Sequence, residues 1–86
     1  MELSSLEARI LRFILSQSGE KCKLSRLRAG LLSMSVHLLD FHLNGLALKG
    51  LLDTDGKRIW LTSDGMKLRG QIPEYVPPLR TLTVRV

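Results

Sequence analysis

Apolar residues at the start of the chain recur with helical spacing: Leu3, Leu6, Ile10, Phe13 and Ile14 share one face, and Arg9, Arg12 and Gln17 lie elsewhere. Ser4 and Glu7 stand three apart, the spacing of a reciprocal capping box, so the first helix is predicted to start there and to stop at Gly19. A second row, Ala8, Leu11 and Leu15, falls on the opposite side at i, i+3 and i+7. It predicts a contact surface, with the helix held between core and partner. After the link Lys21-Cys22-Lys23, Ser25 caps a short second helix with Leu27, Leu31 and Leu32 inward. Gly30 costs that helix up to about 1 kcal/mol relative to alanine, so packing must hold it.

Ser33-Met34-Ser35 is the turn into a third helix capped by Ser35, in which Val36, Leu39, Leu43 and Leu46 repeat over roughly four turns until Gly50. Asp55-Gly56 between two strand-like runs predicts a two-residue hairpin. Thr62 and Asp64 cap a short fourth helix with Met66 and Leu68 near its start, ended by Gly70 and Pro73. Pro77-Pro78 forms a stiff linker. From Leu79 onward the pattern alternates, with Leu82, Val84 and Val86 on one side and Thr81 and Thr83 on the other. That segment reads as a terminal strand, expected to pair with the hairpin or with another subunit because an open apolar edge invites aggregation. The expected fold class is α+β, with one domain over 1–72 and a C-terminal extension over 73–86.

At 86 residues the chain has room for one core. A domain this small buries only about 60 to 65% of its unfolded surface, so a subunit contact is a natural source of further stability. The net charge of +5 favours polyanionic partners, nucleic acid before acidic membranes. The single cysteine, Cys22, excludes an internal disulfide and a cysteine metal cluster. No apolar run reaches the roughly 18 residues of a bilayer span, and Glu2 and Glu7 stand where a signal peptide would be basic. A cytoplasmic, unprocessed protein with no membrane partner is expected.

From Leu24 to Gly65, about half of the chain, the pattern resembles the winged helix-turn-helix domains of prokaryotic transcription regulators. Leu24-Ser25 with Leu27 looks like the start of that family's second helix. Ser33-Met34-Ser35 with Leu39 and His42-Leu43 looks like its turn and recognition helix. Leu46-x-x-Lys49-Gly50-Leu51-Leu52 resembles the helix end and first wing strand, and Ile59-x-Leu61-Thr62-x-x-Gly65 the second strand and following turn. The resemblance implies three core helices and a two-stranded hairpin wing, here followed by a short fourth helix and a C-terminal strand. It also implies that the third helix enters the major groove of double-stranded DNA, that the second helix and wing touch phosphates, and that a homodimer reads paired half-sites.

Residue by residue, the phosphate candidates are Lys21, Lys23, Arg26 and Arg28, with no intervening acid, and Lys57 and Arg58 at the hairpin. On the third helix, Ser35 joins the nucleic-acid set. His37, Phe41, Asn44 and Leu48 turn outward, flanked by Leu38 and Gly45. His37 and Asn44 can donate to base edges, and Leu38 or Phe41 can meet a thymine methyl. No Lys or Arg lies between Ser35 and Leu48, and Asp40 is an acid where a phosphate would pass. An alternative therefore stands beside DNA binding. Leu38, Phe41, Gly45 and Leu48 have the register of a packing seam for the terminal strand, another protomer or a protein partner. The expected subunit or partner contact comprises Ala8, Leu11, Leu15, Phe41, Leu48, Leu82 and Val84.

Catalysis is not expected. His37 and Asp40 lie one turn apart near Ser33 and Ser35, but no Gly-rich nucleophile turn accompanies them. His37 and His42 are five apart, off the i, i+4 metal spacing, so neither metal nor cofactor is expected, and His42 is placed at a core edge. Trp60 is read as packing on the C-terminal tail, and Cys22 as an inert thiol.

Overall fold

Ser4 opens the first helix by the exchange its spacing demands. In the computed structural model its hydroxyl oxygen accepts from the Glu7 N–H at 3.1 Å, and Glu7 Oε1 accepts from the Ser4 N–H at 2.9 Å. The structure describes residues 1–17, 21–31, 34–76 and 80–85. In order these form β1 (Glu2–Leu3), α1 (Ser5–Ser16), β2 (Cys22–Lys23), α2 (Leu24–Gly30), α3 (Val36–Leu48), β3 (Leu52–Thr54), β4 (Arg58–Leu61), α4 (Ser63–Met66) and β5 (Leu82–Thr83). Among the described residues this is a small α+β fold of four helices and two antiparallel sheets, one ordered β2-β4-β3 and the other pairing β1 with β5. The expected helix stop at Gly19, the inward Leu32, the Ser33 part of the turn, the Pro77-Pro78 linker, Leu79 and Val86 lie outside the described residues.

The core is built around α1. Ile10, Leu11 and Ala8 are fully buried, and α1 packs on both α2 and α3. Ala8 and Leu11, expected at an oligomer contact, are therefore interior residues of this chain, and Leu15 packs against the same core half-buried. Helical periodicity groups Ala8, Leu11 and Leu15 correctly on one face. It does not tell whether that face is covered by a partner or by the chain's own remaining elements.

The same correction applies at the other end. β5 pairs with β1, Leu82 opposite Leu3 and Thr83 opposite Glu2, not with the hairpin. Val84 N–H donates to the Met1 carbonyl at 2.8 Å, and Val84, also assigned to an interface, is buried. Leu82 is half-buried against the core. Gln71 clamps the strand through its amide, donating to the Arg85 carbonyl and accepting from the Arg85 N–H, both at 2.7 Å. Val76 and Val84 thus tie the segment set apart at 73–86 into the same core as Leu68 and Ile72.

α3 begins and ends as its sequence dictates. Ser35 Oγ accepts from Leu38 N–H at 3.1 Å. At the other end Gly50 takes φ +77°, Leu51 N–H reaches the Leu46 carbonyl at 3.1 Å, and Gly50 N–H reaches that of Ala47 at 3.0 Å. This is a full Schellman stop, with Leu46 and Leu51 buried beside it. Leu39, Leu43 and Leu46 face the core, but Val36, in the first turn, is half exposed. α2 starts at Leu24 after Lys23 with no side-chain cap, so Ser25 lies inside it. The Phe13 ring occupies the place a Cβ on Gly30 would need, which accounts for glycine in that helix.

The link Lys21-Cys22-Lys23 is also more than a link. β2 adds a third strand to the hairpin, Cys22 opposite Ile59 and Lys23 opposite Arg58. The polar-apolar-polar alternation carried this signal, too briefly to stand out from a loop. In the hairpin itself the pair Thr54–Ile59 and the bond from Asp55 N–H to the Arg58 carbonyl at 3.2 Å centre the turn on Gly56-Lys57, one residue later than expected. The reason is the Asp55 carboxylate, whose Oδ1 accepts from Lys57 N–H at 2.9 Å and Arg58 N–H at 2.8 Å. Asp55 thereby acts as a side-chain bracket at the first turn position.

Candidate nucleic-acid interface

The β2–β4 pairing decides where the basic residues go. Cys22 and Ile59 turn inward and are buried, so the adjacent pair, Lys23 and Arg58, turns outward on the other side of the pleat. Lys21 Nζ lies 4.4 Å from the centre of the Trp60 ring, a cation–π contact on that outer side. Trp60 therefore packs beneath a lysine, with Asp53 as its cross-strand neighbour, where the sequence pattern placed it on the C-terminal tail. Lys21, Lys23, Lys57 and Arg58 are all exposed on one sheet and its turn.

These cations are not equally free. Arg58 is shared with Asp55 at 3.5 Å, and the Arg58 and Lys57 N–H groups hold the Asp55 carboxyl below its ordinary range. On α2, Arg28 reaches Asp40 of α3 at 3.5 Å, while Arg26 points to solvent. Lys23, Arg26 and Lys57 make no salt bridge among the described residues. The Arg28–Asp40 pair is half exposed and contributes about 0.2 to 1 kcal/mol at most. Its larger effect is on charge, because it neutralises the one acid on α3.

α3 presents an unusual outer face. Leu48 is 90% exposed, Phe41 71% and Leu38 39%, with His37 and Asn44 exposed between them. The Phe41 ring meets His42 edge-on at 5.3 Å, and His42 is half-buried at the margin of the core. Gly45, placed in the apolar seam by its spacing, instead faces the Glu7 carboxylate of α1. The seam is reduced to Leu38, Phe41 and Leu48. A shallow groove of ≈ 300 Å³ runs between α3 and the hairpin, lined by Arg28, Asp40, Asn44, Ala47, Thr54 and Gly56 among others. It sets the hairpin turn beside the Asn44 flank of the helix.

Ser35 is exposed, with its hydroxyl oxygen engaged by the helix cap. Asp40 pairs with Arg28 rather than with His37. Cys22 is buried, and burial pushes its thiol pKa up, with Arg26 opposing that shift.

One functional group escaped the sequence pattern. Lys49 Nζ donates to Glu7 Oε2 at 2.7 Å, to Glu7 Oε1 at 2.9 Å and to the Glu2 carbonyl at 3.2 Å, joining the end of α3 to the start of α1. Burial acts to raise the pKa of Glu7, but the Lys49 and Ser4 hydrogen bonds and the Lys49 charge together hold it below the ordinary value. Lys49 is thereby committed to the fold and does not serve the outer face of α3. Its spacing from Glu7 offers no local cue.

Among the described residues no group of three His, Cys, Asp or Glu side chains is placed to hold a metal ion, and no helix is long and apolar enough to cross a membrane. No protein-family model matches the chain, and neither a curated protein nor a solved structure matches it.

Proposed function

We propose that this chain is a winged-helix regulator that acts in the cytoplasm by occupying double-stranded DNA, without catalysis or cofactor. The observation that carries the reading is the position of the hairpin beside α3: exposed cations flank the open outer face of a 13-residue helix. In such a complex α3 enters the major groove, and Lys23, Lys57, Arg58 and Lys21 meet phosphates from the sheet, with Arg26 doing so from α2 while Arg28 stays on Asp40. The element order supports the same reading, since a helix, a short strand, two helices and a hairpin that recruits the short strand is the order a winged helix-turn-helix calls for.

Of the expected subunit contact, Phe41 and Leu48 stay open, and both lie on the face that would enter the groove. Groove entry and pairing through that face exclude each other, so the DNA-bound form proposed uses α3 of each copy for DNA alone.

Fluorescence anisotropy with a labelled duplex tests the proposal through salt. With about five phosphates neutralised, log K should fall against log salt with a slope of roughly −4 to −5. Lys23→Ala should flatten that slope by about 0.9, the share of one phosphate contact. Binding that is undetectable at low ionic strength, or indifferent to salt, would remove the proposal.

A second reading is favoured by the exposed Val36, Leu38, Phe41 and Leu48: a winged-helix module that binds protein through α3. Phe41→Glu separates the two in sedimentation and anisotropy measurements. The interaction module predicts that this change dissolves an oligomer or complex while Arg26→Ala and Lys57→Ala leave DNA association untouched. The DNA regulator predicts an unchanged sedimentation coefficient and duplex affinity lowered by more than tenfold.

A further inference from the structure

A helix in the major groove distinguishes base pairs only with the chemistry it carries free. Arg or Lys reads guanine through O6 and N7, Asp or Glu accepts from cytosine N4, Asn or Gln bridges adenine N6 and N7, and apolar side chains meet the thymine methyl. The fold gives the first two chemistries partners elsewhere: Lys49 is turned off the outer face of α3 and Asp40 is offset by a neighbouring cation. Asp40 is the one acid on the helix, and Arg28 of α2 holds it at 3.5 Å. Lys49, the helix C-cap, is turned toward α1 and bonded to both oxygens of Glu7.

Outward along the second half of α3 stands Asn44 with Phe41 and Leu48 beside it, while Val36, His37 and Leu38 are exposed nearer its start. Phe41 to Leu48 is two helical turns, a stripe about 10 Å long, which is roughly the rise of three base pairs. His37 can donate to N7, which both purines carry, so it adds contact without choosing between them.

Resting on the duplex-DNA reading above, we infer that this site selects A·T base pairs in the major groove, with Asn44 bridging adenine and Phe41 and Leu48 packing on thymine methyls. Arg28 and Glu7 are positioning residues in this scheme: one masks the acid, and the other draws the lysine away.

The test uses duplexes of equal length that differ in a central segment of A·T or G·C pairs, at one salt concentration. The A·T duplex should bind about tenfold more tightly, the discrimination expected of one bidentate contact with apolar support. Replacing thymine by uracil removes only the 5-methyl, and replacing adenine by 7-deazaadenine removes only N7. Each should erode the preference several-fold. Asn44→Ala, at an exposed position where circular dichroism can verify folding, should remove most of the sensitivity to 7-deazaadenine, leaving only what His37 contributes at N7, and leave the salt slope unchanged. Equal affinity for both duplexes overturns the inference and leaves the DNA reading standing. An A·T preference indifferent to uracil and 7-deazaadenine also overturns it, because the readout then uses neither the thymine methyl nor adenine N7. Absence of binding to either duplex overturns the inference together with the reading beneath it.

Discussion

Gly65→Ala is expected to destabilise the protein by about 3 kcal/mol, the upper range of overpacking substitutions, and to lower Tm by roughly 12 to 24 °C for a domain of this size. Gly65 is buried, and a Cβ built on it runs into the carbonyl oxygen of Leu51, with Leu61 Cβ at 3.2 Å. The obstruction is backbone and cannot rotate away. That carbonyl also accepts from Thr62 N–H at 3.1 Å, while the Thr62 hydroxyl donates to the Gly50 carbonyl at 2.5 Å and accepts from Gly65 N–H at 3.2 Å. Moving Leu51 to admit a methyl group would thus strain the stop of α3, the cap of α4 and the start of β3 together. Gly70→Ala is the control: nothing lies within 4 Å of its Cβ position, and its φ is not positive. It should change stability by less than about 0.5 kcal/mol. Denaturant unfolding monitored by circular dichroism measures both. Equal stability of the two variants would show that α4 does not approach Leu51 as closely as this.

Lys49→Met is expected to cost about 2 to 3 kcal/mol at pH 7, somewhat less than a fully buried pair because the lysine side chain keeps a third of its surface in solvent. The cost arises from the partner left behind. Glu7 is buried, and without Lys49 its carboxylate loses two of the hydrogen bonds it accepts and keeps the Ser4 N–H bond. Glu7→Gln in the Lys49→Met background should recover much of the loss, since a neutral amide needs no counter-charge.

The pH dependence carries an independent sign. In the native protein the Glu7 pKa is depressed on folding, so its contribution is fully present above the unfolded value of about 4.3 and is lost as pH falls through the folded value. In Lys49→Met the largest remaining influence is burial, which raises the folded pKa above the unfolded one. Acidification from pH 7 then relieves that variant by protonating Glu7. The stability gap between the two proteins should narrow as pH falls from 7 to 4, as unfolding curves at both ends will measure. A gap independent of pH would mean that Glu7 and Lys49 do not share a charge interaction.

What was legible in the sequence was local. The Ser4–Glu7 box, the Ser35 cap, the Gly50 stop and the Thr62 cap each depend on groups within five residues of one another, so spacing alone specifies them. The outward stripe of α3 was legible for the same reason, because helical periodicity assigns residues to a face. The hairpin slipped by one residue where two local signals competed, and the Asp55 carboxylate took the backbone N–H groups of Lys57 and Arg58.

Periodicity cannot say what covers a face or an edge, and those matters were settled by contacts between residues far apart in the chain. Ala8, Leu11 and Val84 became core because β1 and β5 close one side of the molecule and α2 and α3 pack on α1. Lys23 came to stand beside Arg58 because β2 joined the hairpin. By itself the sequence determined where helices begin and end and which residues share a face. Only the tertiary structure decided which apolar rows are interior and which charges remain free, because burial and ion pairing depend on what the rest of the chain places opposite them.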